Sequence, residues 1–152
     1  LTVESLDLTY AKMKSEDQDK ILKAMNYAMG EDETLMTIYE MVAFNSSTFK
    51  FKFAGKKTMD INQVSFGVKI MFNILVNTPQ GEGKIYLIDS PEFGLSDSWC
   101  SRLITGVKMI NPDCQVLAVT NQIMTGEEWG GKMKSLSSCF RKVIPSREGG
   151  EK

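Results

Sequence analysis

Two short apolar runs with a helix-sized interval between them limit the folds open to this chain more than any other feature. The first, Ile85-Tyr86-Leu87-Ile88, is β-prone and uncharged, and it runs into Asp89-Ser90-Pro91, where proline forbids the ladder from continuing. The second is Cys114-Gln115-Val116-Leu117-Ala118-Val119-Thr120. Between them Leu103, Ile104, Val107 and Ile110 recur at helical spacing, behind Ser96 or Ser98 as N-cap, until Asn111-Pro112-Asp113 stops the pattern. Strand, helix, strand over this span is a βαβ unit, so the strands should be parallel with a right-handed crossover. A run as apolar as the first reads as a strand buried on both faces. Asp89 is then a carboxylate at the carboxyl end of a parallel strand, where open α/β sheets gather ligands. An ordinary turn or capping aspartate is the structural alternative.

Upstream, Leu1 to Tyr10 alternates weakly and reads as an edge strand or lead-in. Ser15-Glu16-Asp17-Gln18 has the form of a capping box, followed by Ile21, Leu22, Met25, Ala28 and Met29 on one helical face, with Gly30 to close the helix. The methionines on that face read as core filling. Leu35 to Phe44 reads as a strand, with a helix as the other option. Phe49, Phe51 and Phe53 alternate with Lys50 and Lys52, so one face is buried and the other solvated. Ala54-Gly55-Lys56-Lys57 then turns a hairpin back through Met59 and Ile61. Ser65 is a natural N-cap for a helix carrying Ile70, Met71, Ile74 and Leu75. Beyond Asn121 the signal fades: Gly126, Gly130 and Gly131 mark loops, Cys139 to Ile144 a last strand or short helix, and the tail should be loose. The fold class is therefore α/β: a mostly parallel core sheet flanked by helices, with an antiparallel hairpin near 48–61.

A chain of 152 residues is one domain or part of one. It opens on Leu1 without an initiator Met, which suggests processing, trimming or truncation. No apolar run approaches the roughly 20 residues of a membrane span, and no leader pattern is visible. A net charge of -1 does not support general nucleic-acid binding. Lys50, Lys52, Lys56 and Lys57 read as a solvated strand face before a DNA contact. Cys100, Cys114 and Cys139 are odd in number and unpaired in spacing, which suggests free thiols and a cytoplasmic setting. The sequence contains no histidine at all. That removes Ser-His-Asp and Cys-His nucleophile systems and His-ligated zinc together.

Three pieces stand in order: Gln63-Val64-Ser65-Phe66-Gly67-Val68-Lys69 at a helix start, Ile85 to Leu95 with its terminal Asp89, and Val116 to Gln122. They resemble the signature motif, the Walker B strand and the strand entering the switch loop of an ATP-binding-cassette (ABC) type ATPase head, of the RecF, structural-maintenance-of-chromosomes and OLD-like kind. The resemblance covers roughly residues 15 to 125 and is best over 61 to 121. It implies the C-terminal lobe of a P-loop NTPase-like domain working with ATP and Mg²⁺. Ser65, Gly67 and Lys69 would meet nucleotide at a helix N-terminus, Asp89 would orient the metal, and Ser90, Glu92 and Asn121 would occupy or adjoin the catalytic positions. It further implies a homodimer or a Walker A-bearing partner, because in that family the signature faces nucleotide held by the opposite subunit.

The departures are plain. No Gly-x-x-x-x-Gly-Lys-Ser/Thr loop occurs, so the phosphates have no cradle in this chain. Ser90 stands where the family has its catalytic Glu, and Asn121 where it has His. Phe66 and Val68 replace small and acidic signature residues. The expectation is an ATPase-like lobe weak or inactive in hydrolysis by itself, or a catalytically silent relative serving as a binding or scaffolding module.

Overall fold

Alternating phenylalanines build the first sheet. In the computed structural model, which describes residues 9–30, 37–45, 48–54 and 57–120, Phe49, Phe51 and Phe53 are all buried. They lie on the central strand of an antiparallel sheet ordered β1 (Ile38–Asn45), β2 (Thr48–Phe53), β3 (Thr58–Asp60). Phe51 is the register point, opposite Met41 on one side and Met59 on the other. On the opposite face Lys52 holds an ion pair with Glu40 at 2.6 Å, so part of the basic strip is neutralised within the sheet. Of the two options for 35–44 the strand is adopted from Ile38 on, residues 35 and 36 lying outside the described residues, and the 48–61 hairpin forms, its turn at Gly55-Lys56 likewise outside them.

Three helices pack together beside this sheet: α1 (Ser15–Met29), which contacts β1, α2 (Phe66–Val76), and α3 (Asp97–Ile110), which packs on α1 and α2. Ile21, Ala24, Met25, Ala28 and Met29 form the buried face of α1, so its methionines are core. The capping box at Ser15 is not formed. Lys14 occupies the cap position, where its ammonium has no acceptor to offer, and Gln18 donates Nε2–H to the Tyr10 carbonyl at 2.9 Å. Residues 9–11 are a helical turn, so the strand expected to reach Tyr10 is absent there, and residues 1–8 lie outside the described residues. Gly30 ends α1 at φ 87°, a conformation open to glycine. Asn26 of α1 grips β1 with both ends of its amide: Nδ2 donates to the Ile38 carbonyl and Oδ1 accepts from the Ile38 amide, each at 2.8 Å. Where α1 and α3 cross, a Cβ on Gly106 would come within 3.5 Å of the Ala24 carbonyl.

Phe72 of α2 ties helices to sheet. It is fully buried, with ring centroids 4.8 Å from Phe49, 5.5 Å from Phe51 and 5.8 Å from Tyr10. Ser65 caps α2 through Val68 and Ser96 caps α3 through Trp99, as the sequence suggests.

The second sheet joins β4 (Ile85–Asp89) to β5 (Gln115–Val119) in parallel, from Ile85↔Gln115 to Asp89↔Val119. The βαβ expectation is met. A single, largely parallel core sheet is not: among the described residues there are two sheets, three strands antiparallel and two parallel. Burial of β4 on both faces is also not met. Tyr86 and Ile88 face inward with Val116 and Ala118, but Ile85 and Leu87 are 61% and 68% exposed, and Leu117 beside them 59%. No described element covers that side. An apolar run tells nothing of whether a second layer is present to bury it.

Burial raises both inward-facing tyrosines of this core. Tyr10 and Tyr86 are each pushed up to about 12, chiefly by desolvation; the Tyr86 hydroxyl donates to the Ile74 carbonyl at 2.7 Å. The unfolded pKa near 10 is the lower one, so the fold binds the extra protons. Their contribution is whole below about pH 10 and is lost as pH rises toward 12. Titrating tyrosinate absorbance alongside circular dichroism should show these two ionising late, together with loss of helix. Ordinary ionisation of every tyrosine with the fold intact would contradict the assignment.

Candidate functional site

Asp89 sits at the carboxyl end of β4, exposed, where the ladder gives way to the Pro91 turn. The ladder extends one bond further, the Ser90 amide donating to the Val119 carbonyl at 2.8 Å. Ser90 then adopts φ 48°, the one positive φ of a non-glycine residue among those described, a conformation that costs energy for a side chain with a Cβ. It places the Ser90 hydroxyl against its neighbour, where Oγ donates to Asp89 Oδ1 at 2.9 Å. The Phe93 amide donates back to the Ser90 carbonyl at 3.0 Å and closes the turn.

Beside this turn lies a cleft of about 460 Å³, between α2 and β4. Phe66 and Ile70 line it from α2, Leu87 and Asp89 from β4, and Ser90 and Phe93 from the turn. Phe66 and Phe93 are 64% and 70% exposed. The sequence pattern marks neither as a binding residue: Phe66 stands out only as a departure from the signature pattern, and Phe93 carries no motif of its own. An aromatic in a solvent-facing cap or turn position was the available signal.

The expected site residues divide. Asp89 and Ser90 are brought together. Glu92 follows in the turn but is half-buried, with Oε2 shielded from solvent, unlike the exposed Asp89 carboxylate. Ser65 caps α2 and is exposed, and Lys69 donates Nζ–H to the Asn62 carbonyl at 3.4 Å. Neither lines the cleft. Gly67 has a packing role: a Cβ there would meet the Gly94 carbonyl at 2.8 Å and the Trp99 ring at 3.2 Å. Asn121 lies outside the described residues, as do residues 31–33, Cys139 to Ile144, Gly126, Gly130, Gly131 and the tail. Cys100 and Cys114 are free thiols and buried.

Mg²⁺ is commonly held by one or two carboxylates, with water and substrate phosphates completing the shell. An exposed Asp89, one oxygen of which already accepts from Ser90, meets that minimum. Among the described residues no cluster of three or more acidic or thiol side chains could hold a metal without such help. No described helix is long and apolar enough to cross a membrane. Compared with protein-family models, curated proteins and solved structures, the chain matches none.

Proposed function

We propose that the chain is an ABC-type ATPase-like lobe of a P-loop NTPase fold, supplying a Walker B aspartate and a signature-type helix start to a nucleotide site completed by a Walker A-bearing partner. The observation that carries this reading is Asp89, exposed at the carboxyl end of the parallel β4–β5 pair. The open side of that pair supports it too, since Ile85, Leu87 and Leu117 form an apolar surface that a further layer would bury. Asp89 would orient Mg²⁺ and its waters; bound ATP would bring the phosphates that complete the metal's shell. Ser65 and the start of α2 would offer a hydroxyl and helix-dipole charge to a phosphate across a dimer. Ser90 is a hydrogen-bond donor and no base, so hydrolysis is expected to be slow or absent.

One observation favours a second reading, a silent relative that serves as a binding or scaffolding module. The absence of a side chain at Gly67 is already accounted for by its contact with Gly94, so that glycine does not require a phosphate. Mg-ATP binding to the longest natural form of the protein separates the two. Tight binding, weakened about tenfold by Asp89→Asn only when Mg²⁺ is present, supports the ATPase-like reading. Absence of tight binding in that form supports the scaffold. If the site binds, Ser90→Glu should raise turnover, by as much as about 10²–10⁴-fold if it restores a general base.

A further inference from the structure

The cleft beside Asp89 has a property that does not depend on nucleotide. The four consecutive residues 86–89 of β4 line it. Successive side chains of a strand point to opposite faces, so a cleft touching all four must run along the strand's edge. No β5 residue lines it, which makes this the edge turned away from β5.

The hydrogen-bonding register of that edge follows from the ladder. Gln115 donates to the Lys84 carbonyl and Ser90 donates to the Val119 carbonyl, each at 2.8 Å. In a parallel pair alternate residues of a strand bond to one neighbour. The main-chain groups of 84, 86, 88 and 90 therefore face β5, and those of Ile85, Leu87 and Asp89 turn away from it, the last two on the cleft. Among the described residues no main-chain bond outside the ladder engages these three. Donors and acceptors at two-residue spacing, without a main-chain partner among the described residues and set against Phe66, Ile70, Asn73 and Ile74 of α2, are the features of a strand-acceptor groove.

We propose that the free edge of β4 is a docking site for an extended segment of a partner protein, which adds to the sheet as a third strand. The charge of the site fixes part of the segment's character. Asp89 shares the open face with Ile85 and Leu87, so the incoming residue directly opposite it should be Lys or Arg. Residues opposite Tyr86 and Ile88 point toward the α2 wall and should be apolar.

The probe is an acetylated and amidated peptide, Lys-Val-Thr-Val-Thr-Val-Lys, which reads the same in either strand direction. Added to the full chain, it should saturably slow amide exchange at Ile85, Leu87 and Asp89, leaving the already bonded Tyr86 and Ile88 amides little changed. Leu87→Pro removes one outward N–H that the β4–β5 ladder does not use, and should weaken binding about tenfold or more while melting temperature is nearly unchanged. Should that variant misfold, methylating alternate peptide nitrogens decides the matter: the set facing β4 should abolish binding and the other set should not. Asp89→Lys should weaken this peptide and favour one ending in Glu. Exchange at the three amides unaltered by saturating peptide would overturn the proposal, as would equal binding by both methylated sets. Protection of those amides in the chain alone would overturn it as well, by a second copy if it grows with protein concentration and by this chain's own residues if it does not.

Discussion

Phe72→Ala is expected to lower the unfolding free energy by about 3–5 kcal/mol, the usual range for deleting a buried aromatic ring. The ring is fully buried and contacts Phe49, Phe51 and Tyr10. Its ring joins α2 to the antiparallel sheet, and α2 also walls the cleft. Rings on two separate elements, β2 and the turn at Tyr10, border the hole and are themselves held by their other ring contacts, so it should collapse only in part. Domains of this size hold only about 5–15 kcal/mol in total, so the variant should sit near the edge of stability. Urea denaturation should show a lower midpoint with an unchanged slope. A loss under 1 kcal/mol would mean that the ring cluster does not pack as described.

Gly67→Ala is the second large effect, and its sign needs argument. Alanine has the better helix propensity, by up to about 1 kcal/mol in a helix interior. Against that, the new methyl carbon would lie 2.8 Å from the Gly94 carbonyl and 3.2 Å from the Trp99 ring. The first of these is main chain and sits in a turn fixed by φ 104° at Gly94, so it cannot swing aside. Overpacking of this kind costs about 1–3 kcal/mol, and steric cost should win. Thermal melts should show a net loss, with changes in exchange at the turn following Asp89. A stabilised Gly67→Ala would instead leave ligand contact as the remaining reason for glycine at this position.

Much of the architecture was readable where local chemistry and burial agree. The Phe49-Phe51-Phe53 alternation names a strand and its inner face together, and Pro91 and Pro112 mark where β4 and α3 must end. Asp89 was found the same way, because a charge closing an apolar run is a local signal. Three things were not readable. Whether Ile85 and Leu87 meet another layer depends on what packs there, which residue type does not reveal. The bond from Gln18 to Tyr10 competes with the expected cap at Ser15 through a contact that only the folded chain creates. The Gly67–Gly94 approach joins positions 27 apart in sequence, so Gly67 in isolation reads as part of a motif. The same contact explains why resemblance alone overstates Gly67 as a nucleotide ligand.

The grip of Asn26 on Ile38 bears on how the molecule behaves when crowded. β1 is an outer strand of its sheet, and such strands invite neighbouring molecules to stack on them. Here a side-chain amide imitates a passing backbone and occupies both polar groups of Ile38. Growth of stacked assemblies is thereby hindered at that end by a residue of the molecule's own helix, with no charge or proline needed in the strand itself.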